Sequence, residues 1–385
     1  MKIYIESSAI VNKRTGIGQY AKRLLEAATE IDKKNSYTLV AFRHYISRRS
    51  LVLPIEPAHN LSYRFIRWLP AVIYYQLFKR FVAPPIDVIM GRQPDIFFFP
   101  NFVSWPVLNR KTLIIPAIYD LSFVHYAQYS SPQNKAYMLK YVPRTIARAD
   151  HIITISENSK KEIVDYYNVD PEDVSIVTPA IDHAEYYPRS ETEISTLKQK
   201  YGLPEHYFFF TSTLEPRKNV QGLLDAYAAL PDKIRNKYGL VLAGMKGWVD
   251  HEIQLRLDKY RSLNIIRTGY VDDSDLPGMY SGASLFIFPT FYEGFGIPPL
   301  ESMACGVPVI TSNNSSLPEV MGNAGVLLDD LSGESIRDAI VALINNPEEQ
   351  AKLRAEGLKQ AAKFSWKISA QNFIAVLEKV KRSSR

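Results

Sequence analysis

The sequence predicts an α/β protein built from two doubly wound domains in tandem. Three observations carry this. The chain has 385 residues, too many for one ordinary core and enough for two domains of roughly 150–200 residues each. Short apolar, β-branched or aromatic runs alternate with helix-like stretches, and runs apolar on both faces mean parallel strands covered on both sides. The series passes through the first half, breaks, and starts again.

In the first half, strands are expected at residues 2–6, 37–42, 96–99, 113–119, 151–155 and 174–177, with helices between them such as 18–31 and 158–167. Residues 182–205 are polar, carry Pro188 and Pro204, and read as a linker. In the second half, strands are expected at 207–211, 239–243, 264–267, 285–288 and 307–311, and helices at 220–230, 250–263, 274–282 and 298–304. Residues 365–381 form an amphipathic helical pattern. The division expected is 1–185, a linker at 186–205, a second domain at 206–364, and a last helix at 365–385. Ligands bind at the carboxyl ends of parallel strands, and two such domains face to face make a cleft.

Composition narrows the class. Hydrophobic residues are 46% and charged residues 22%, which excludes wholesale disorder. The single cysteine, Cys305, excludes an intramolecular disulfide framework and a Cys-rich zinc site, and fits a reducing compartment. The start, Met1-Lys2-Ile3-Tyr4-Ile5-Glu6, has no apolar core of signal-peptide length. No uncharged apolar run reaches the roughly 18–20 residues of a membrane helix. A cytoplasmic protein is expected, one able to sit on a membrane surface.

The balance of 46 Lys+Arg against 40 Asp+Glu says less than its distribution. Arg43, Arg48, Arg49, Arg64, Arg67, Lys79, Arg80 and Arg92 are opposed locally only by Glu56 and Asp87. Tyr63, Phe65, Trp68, Tyr74, Tyr75, Phe78 and Phe81 are interleaved with them. This stretch reads either as a core-facing helix pair with a solvated rim or as an interfacial surface facing anionic lipid. Arg64, Arg67, Trp68, Lys79 and Arg80 are its candidate membrane contacts. Nucleic acid is not expected, because no groove-reading motif accompanies the patch.

The strongest chemical signal runs from Glu293-Gly294-Phe295-Gly296-Ile297-Pro298-Pro299 to Glu301 and Gly306. It follows an expected buried strand. Its glycines allow close backbone approach to a ligand. Its prolines suit the first helical positions, and loop and helix-start N–H groups make an anion site. The two carboxylates can each hold a different part of one ligand, such as sugar or ribose hydroxyls. A second signal, Glu215-Pro216-Arg217-Lys218-Asn219, follows the first strand of the second domain. There a planar fork and a point charge can neutralise a diphosphate. Thr15-Gly16-Ile17-Gly18 is weaker: a backbone loop over a phosphate, or a turn and helix start. Asp120 in Tyr119-Asp120-Leu121-Ser122 ends another expected strand; it binds a sugar hydroxyl or orients an acceptor, or it caps the next segment. Asp272-Asp273-Ser274-Asp275 invites a metal, but helix capping by Ser274 or Asp275 with an exposed acidic loop is the stronger reading. The seven histidines show no ligand spacing.

On these motifs, with Leu317-Pro318-Glu319-Val320, the chain resembles retaining GT-B glycosyltransferases of the GT4 family. Within that family it is closest in pattern to the branch of bacterial mannosyltransferases of surface-polysaccharide assembly. The resemblance covers nearly the whole chain. It implies that Arg217 and Lys218 bind the donor diphosphate, and that Gly294, Phe295, Gly296 and Ile297 offer backbone amides to donor sugar and phosphate. Glu293 would contact the donor sugar and Glu301 the ribose. Val271 would meet the base through its backbone, and Gly16 would close over the diphosphate from the opposite domain. The last helix would cross back to the first domain. Two departures stand out. Many relatives have His-Asp where this chain has Tyr119-Asp120, which shifts the catalytic expectation to Asp120. Other branches carry an extra Arg at Ser212, so more phosphate work falls on Arg217 and Lys218.

The resemblance thus implies hexosyl transfer from a nucleotide diphosphate sugar, best matched by GDP-mannose, to a hydroxyl of a glycan or lipid-linked glycan in O-antigen or lipopolysaccharide biosynthesis. No cofactor and no divalent metal are expected, and the nucleotide sugar is a substrate. UDP- and dTDP-sugar donors stay open, because base contacts in the family are largely backbone. A nucleotide-sugar epimerase of GT-B fold is a rival. So is a nicotinamide-dependent dehydrogenase, which lacks G-x-G-x-x-G after its first strand. A non-catalytic sugar-binding scaffold is disfavoured by the intact charged loop positions.

Overall fold

A computed structural model of the chain describes residues 1–11, 16–42, 55, 58–129, 131–245 and 251–383. It divides into two compact units, Met1–Pro179 with Trp366–Arg385, and Ala180–Ser365. Thr15, Arg43, Arg48, Arg49 and Glu56 lie outside the described residues.

The first unit contains β1 (Lys2–Glu6), β2 (Ser36–Phe42), β3 (Leu61–Ile66), β4 (Ile96–Phe99), β5 (Leu113–Pro116), β6 (Ile152–Thr154) and β7 (Val174–Ile176). The order β3-β2-β1-β4-β5 is parallel throughout. Ile5 lies opposite Leu39 and Phe98, and all three are fully buried. The strand expected at 113–119 stops at Pro116: the Ala117 N–H still bonds to Phe99 O (2.8 Å), whereas Ile118 N–H turns to Ile153 O (2.9 Å). β6 and β7 continue from there as a parallel pair.

Helix Gly16–Ile31 buries Tyr20, Ala21, Leu24, Leu25 and Ala28 on one stripe, the helical spacing of a core-facing surface. It packs against Trp366–Ser383, the last helix, which belongs to this unit. There Phe373 meets Phe98 with ring centroids 5.0 Å apart, and Ser369 Oγ donates to Thr178 O at 2.7 Å.

The second unit contains β8 (His206–Thr211), β9 (Tyr238–Ala243), β10 (Ile265–Gly269), β11 (Leu285–Phe288), β12 (Val309–Ser312) and β13 (Gly325–Leu328). The order is β10-β9-β8-β11-β12-β13, again parallel. Strand order reverses beside β1 and β4 in one unit and beside β8 and β11 in the other. In open α/β sheets that reversal is where a crevice opens at the carboxyl ends.

Three further findings differ from the sequence reading. β3 falls in the basic-aromatic stretch, where Ser62, Tyr63, Arg64 and Phe65 are at least partly exposed, so no continuous apolar run marks it. β13 is four residues long. The expected linker contains helix Glu191–Tyr201, with a capping box from Ser190 and Glu193 and a left-handed Gly202 at its end. Only Ile194 of that helix is buried, which is why its sequence reads as polar connection. Among the described residues, no helix is long and apolar enough to cross a membrane.

Candidate active site

The crossover after β8 makes a single tight turn, Pro216–Lys218, and then starts helix Val220–Ala228. Asn219 joins them at φ 52°, and its side-chain oxygen accepts from Gly222 N–H at 3.2 Å. The turn thereby fixes Arg217 and Lys218 at the carboxyl end of the central strand. The loop after β11 is stitched to it. Phe291 N–H and Thr290 Oγ1 both donate to Arg217 O, at 2.9 and 3.0 Å.

The side chains complete this join. Arg217 Nη1 donates to Tyr292 O at 2.5 Å, and its Nη2 to Glu215 Oε1 at 2.9 Å. The same Nη1 lies 3.5 Å from Glu293 Oε2. Lys218 Nζ forms an ion pair with Glu293 Oε1. The Lys218 side chain is 9% exposed and that of Glu293 12%, so neither charge is held by bulk water alone. Burial pushes the Lys218 ammonium below its usual range, against the pull of Glu293. For Glu293 burial acts upward, but Lys218 and Arg217 outweigh it and hold the carboxyl below its usual range.

A bed of serines supports the glycine loop. Ser316 Oγ donates to Glu293 O at 2.9 Å and to Phe295 O at 2.7 Å, while Glu293 N–H donates to Ser315 Oγ at 3.1 Å. Gly296 has φ +113°, and a Cβ there would stand 2.7 Å from Leu317 Cδ2. The loop needs glycine on both counts. Helix Ile297–Ala304 follows directly, with proline in its first turn.

Glu301 belongs to a second cluster. Its Oε2 accepts from Tyr280 Oη at 2.7 Å, and Tyr186 is its other phenol partner. Burial pushes its carboxyl up to about 7 against those two hydrogen bonds. Neither phenol was legible as a site residue. The available signal was that a sequestered carboxylate needs hydroxyl donors, and nothing local supplies them.

The remaining expected site residues fall as follows. Arg217, Lys218, Glu293, Gly294, Phe295, Gly296, Ile297 and Glu301 all lie at the carboxyl end of the second sheet, on the β8 turn or on the β11 loop and its helix. Val271 is buried just past β10. Gly16 opens its helix in the first unit and is exposed. Asp120, also in the first unit, is half-buried and accepts from Ser122 N–H at 2.9 Å, a turn contact just ahead of helix Ser122–His125. Its neighbour Tyr119 is buried, donates to Pro100 O at 2.9 Å and packs edge-on against Tyr20 and Phe102. That phenol is committed to the core.

The acidic triplet is also committed. Asp275 takes the N-cap position of helix Leu276–Ser281 without a side-chain capping bond. It instead accepts from Lys200 Nζ (2.5 Å) and Tyr201 Oη (2.7 Å). Of the candidate membrane residues, Arg67, Trp68, Lys79 and Arg80 are exposed. Arg64 is half-buried and donates to Met90 O, which removes it from the outer rim.

Comparison with known proteins bears on this arrangement. The family model described as Glycosyl transferases group 1 matches residues 193–360, and that described as Glycosyltransferase Family 4 matches residues 15–185. O-antigen chain mannosyltransferase B of Escherichia coli is 34% identical over 95% of this chain and 96% of its own length. The chain belongs to glycosyltransferase family 4. The serotype-specific mannosyltransferase WbdA of Escherichia coli is 34% identical over 76% of this glycosyltransferase, which spans 38% of that longer protein. Among solved structures, sucrose-phosphate synthase from Thermosynechococcus elongatus superposes with TM-score 0.74 at 18% identity, covering 99% of each chain. WaaG, a glycosyltransferase involved in lipopolysaccharide biosynthesis, gives 0.68 at 14% identity, covering 96% of this chain and 98% of its own. The fold is GT-B.

Proposed function

We propose that this glycosyltransferase moves a mannosyl group from GDP-mannose to a hydroxyl of a glycan or lipid-linked glycan, with the anomeric configuration retained, in surface-polysaccharide biosynthesis. The observation that carries the reading is the pair of cations after β8 held against Glu293 after β11. The donor and pathway rest on likeness to the O-antigen chain mannosyltransferase, 34% identical over almost the whole chain.

The bond that breaks joins the anomeric carbon to a phosphate oxygen, and negative charge grows on the departing diphosphate. Lys218 supplies a point charge and Arg217 a planar fork in a largely dry, pre-positioned setting. Charge stabilisation of this kind needs no reorganisation at the moment of reaction, and one donor is worth roughly 3–4 kcal/mol. These two cations, shared with Glu215 and Glu293, turn their N–H groups to the diphosphate together with the loop amides, and on that basis we infer a reaction that needs no divalent metal. Glu293 holds the donor sugar and Glu301 the ribose hydroxyls. The leaving phosphate accepts the acceptor's proton on the face it departs from, so no protein base is needed there. Asp120 orients the acceptor.

The setting we infer is the inner face of the cell membrane, reached by peripheral contact through Arg67, Trp68, Lys79 and Arg80. Trp68 is 68% exposed, and Val72 and Ile73, shortly after it in sequence, are exposed too, apolar side chains interspersed with cations along the chain, a composition that suits anionic lipid. A thermal-shift panel of nucleoside diphosphates tests the donor, because a ligand bound only by the folded state raises its melting temperature. GDP should give the largest shift. A larger shift with UDP or dTDP would replace the donor, and no shift with any would remove the nucleotide-sugar reading.

A further inference from the structure

The chain enters the second unit at Ala180 and leaves it at Ser365. The two ends are joined. Ile181 pairs with Ser365 in a parallel bridge, and His183 Nε2 donates to Phe364 O at 3.0 Å. The entering segment then turns on Asp182. Its backbone oxygen accepts from Glu185 N–H at 2.9 Å and from Tyr186 N–H at 2.8 Å, and its carboxylate from Ala184 N–H at 3.0 Å. Just past Tyr186, Arg189 N–H donates to Ser281 Oγ at 3.1 Å. Tyr186 is thus anchored on both sides along the chain, and Ser281 follows Tyr280 directly. The rings of Tyr186 and Tyr280 stand 6.3 Å apart between centroids.

Between them the two phenols hold Glu301. Tyr280 Oη donates to its carboxylate at 2.7 Å, and Tyr186 is the second hydroxyl donor. Glu293 has Lys218 and Arg217 beside it; no cation pairs with Glu301 among the described residues. The other ionisable groups facing it add no support. Glu185 and Asp273 repel its charge, and burial pushes the Cys305 thiol up to about 12, so it stays neutral. Burial also pushes both phenols upward, so they remain protonated and only donate. A carboxylate offers about four acceptor positions, so two phenols leave about two, the number that the vicinal hydroxyls of a ribose would fill. Neutral donors fix the group without cancelling its charge. Packing alone does not ask for the Tyr186 hydroxyl. The residue is half-buried, phenylalanine would fill the same space, and a hydroxyl at the rim could bond water instead of a sequestered acid.

We propose that Tyr186 is a positioning residue for the donor: from the segment on which the chain enters the second unit, its hydroxyl holds the Glu301 carboxylate turned to the two ribose hydroxyls. The inference rests on the nucleotide-sugar reading of the site. The test measures binding of GDP, UDP and their 2′,3′-dideoxy analogues by calorimetry over a pH series, in the parent and in Tyr186→Phe, which keeps the ring and removes the hydroxyl. The tighter-binding ribonucleotide should lose roughly five- to ten-fold in affinity at pH 7 in the variant, since a hydrogen bond to a charged group is gone. Its dideoxy analogue should bind parent and variant alike. The rise of affinity with pH should move to higher pH in the variant, because the charged form of Glu301 has lost a donor. KM for the nucleotide sugar should rise while kcat stays within about two-fold, the pattern of lost uniform binding. An equal loss for the ribonucleotide and its dideoxy analogue, with an unmoved pH dependence, marks a merely structural tyrosine and overturns the proposal. So does unchanged affinity for both. A parent that binds a ribonucleotide and its dideoxy analogue equally overturns it as well, because Glu301 then holds no ribose. A parent that binds none of these nucleotides instead refutes the nucleotide-sugar reading, and this proposal falls with it.

Discussion

Replacing Lys218 by methionine keeps most of the buried stem and removes only the charge. Two consequences can be sized from the geometry. For stability, Glu293 loses its ion-pair partner but keeps Arg217 Nη1 at 3.5 Å. A buried charge left wholly unpaired costs about 3–5 kcal/mol, so with one cation remaining the loss should be about 1–2 kcal/mol. For catalysis, the departing diphosphate loses a fixed cation at the moment its charge grows. Losing one such donor costs about 2.7–4 kcal/mol, or roughly 10²–10³ in kcat. The assay is steady-state nucleoside diphosphate release with a saturating acceptor, with the melting temperature measured alongside. A folded Lys218→Met protein whose kcat stays within about three-fold of the parent, less than 1 kcal/mol of barrier, would refute the assignment of Lys218 to the leaving group.

Other outcomes follow from the same contacts. The Glu301 carboxyl, raised to about 7, must ionise to accept ribose hydroxyls fully. Affinity for the nucleotide sugar should therefore rise with pH through about 7, and Glu301→Gln should flatten that dependence; a calorimetric pH series reads it. The sign for stability is opposite. A carboxyl whose folded value lies above the ordinary 4.5 favours the fold most below that value and loses the contribution as pH climbs through about 7. Glu301→Gln should accordingly melt higher than the parent at pH 8 and not at pH 5. Gly296→Ala must hold φ +113° with a Cβ 2.7 Å from Leu317 Cδ2. It should lose about 1–3 kcal/mol in denaturant melts and most of its turnover. Flotation with anionic vesicles should recover the protein, whereas reversing Arg67, Lys79 and Arg80 to glutamate should leave it in the lower fraction; equal flotation of both would remove the membrane contact.

The sheets were legible where strands are buried on both faces. The runs Tyr207-Phe208-Phe209-Phe210 and Leu285-Phe286-Ile287-Phe288 are fully buried and have no helical period. β3 escaped because Ser62 and Arg64 break its apolar character while edge pairing to β2 alone defines it. Helix Glu191–Tyr201 escaped because its inward face is a single isoleucine. In the site, Arg217, Lys218 and Glu293 could be read from strand-end position, since the sheet itself brings the ends of β8 and β11 together. Tyr186 and Tyr280 could not, because their meeting at Glu301 is set by packing between segments distant along the chain. The same holds for Ser316 beneath the glycine loop, which bonds carbonyls 21 and 23 residues earlier.

Proton NMR of the product made in excess chelator bears most directly on the chemistry. Turnover at full rate, giving a linkage whose anomeric configuration matches that of the donor, is the result expected when Arg217 and Lys218 alone carry away the diphosphate. An inverted linkage, or activity that vanishes with chelator and returns with a divalent ion, would contradict it.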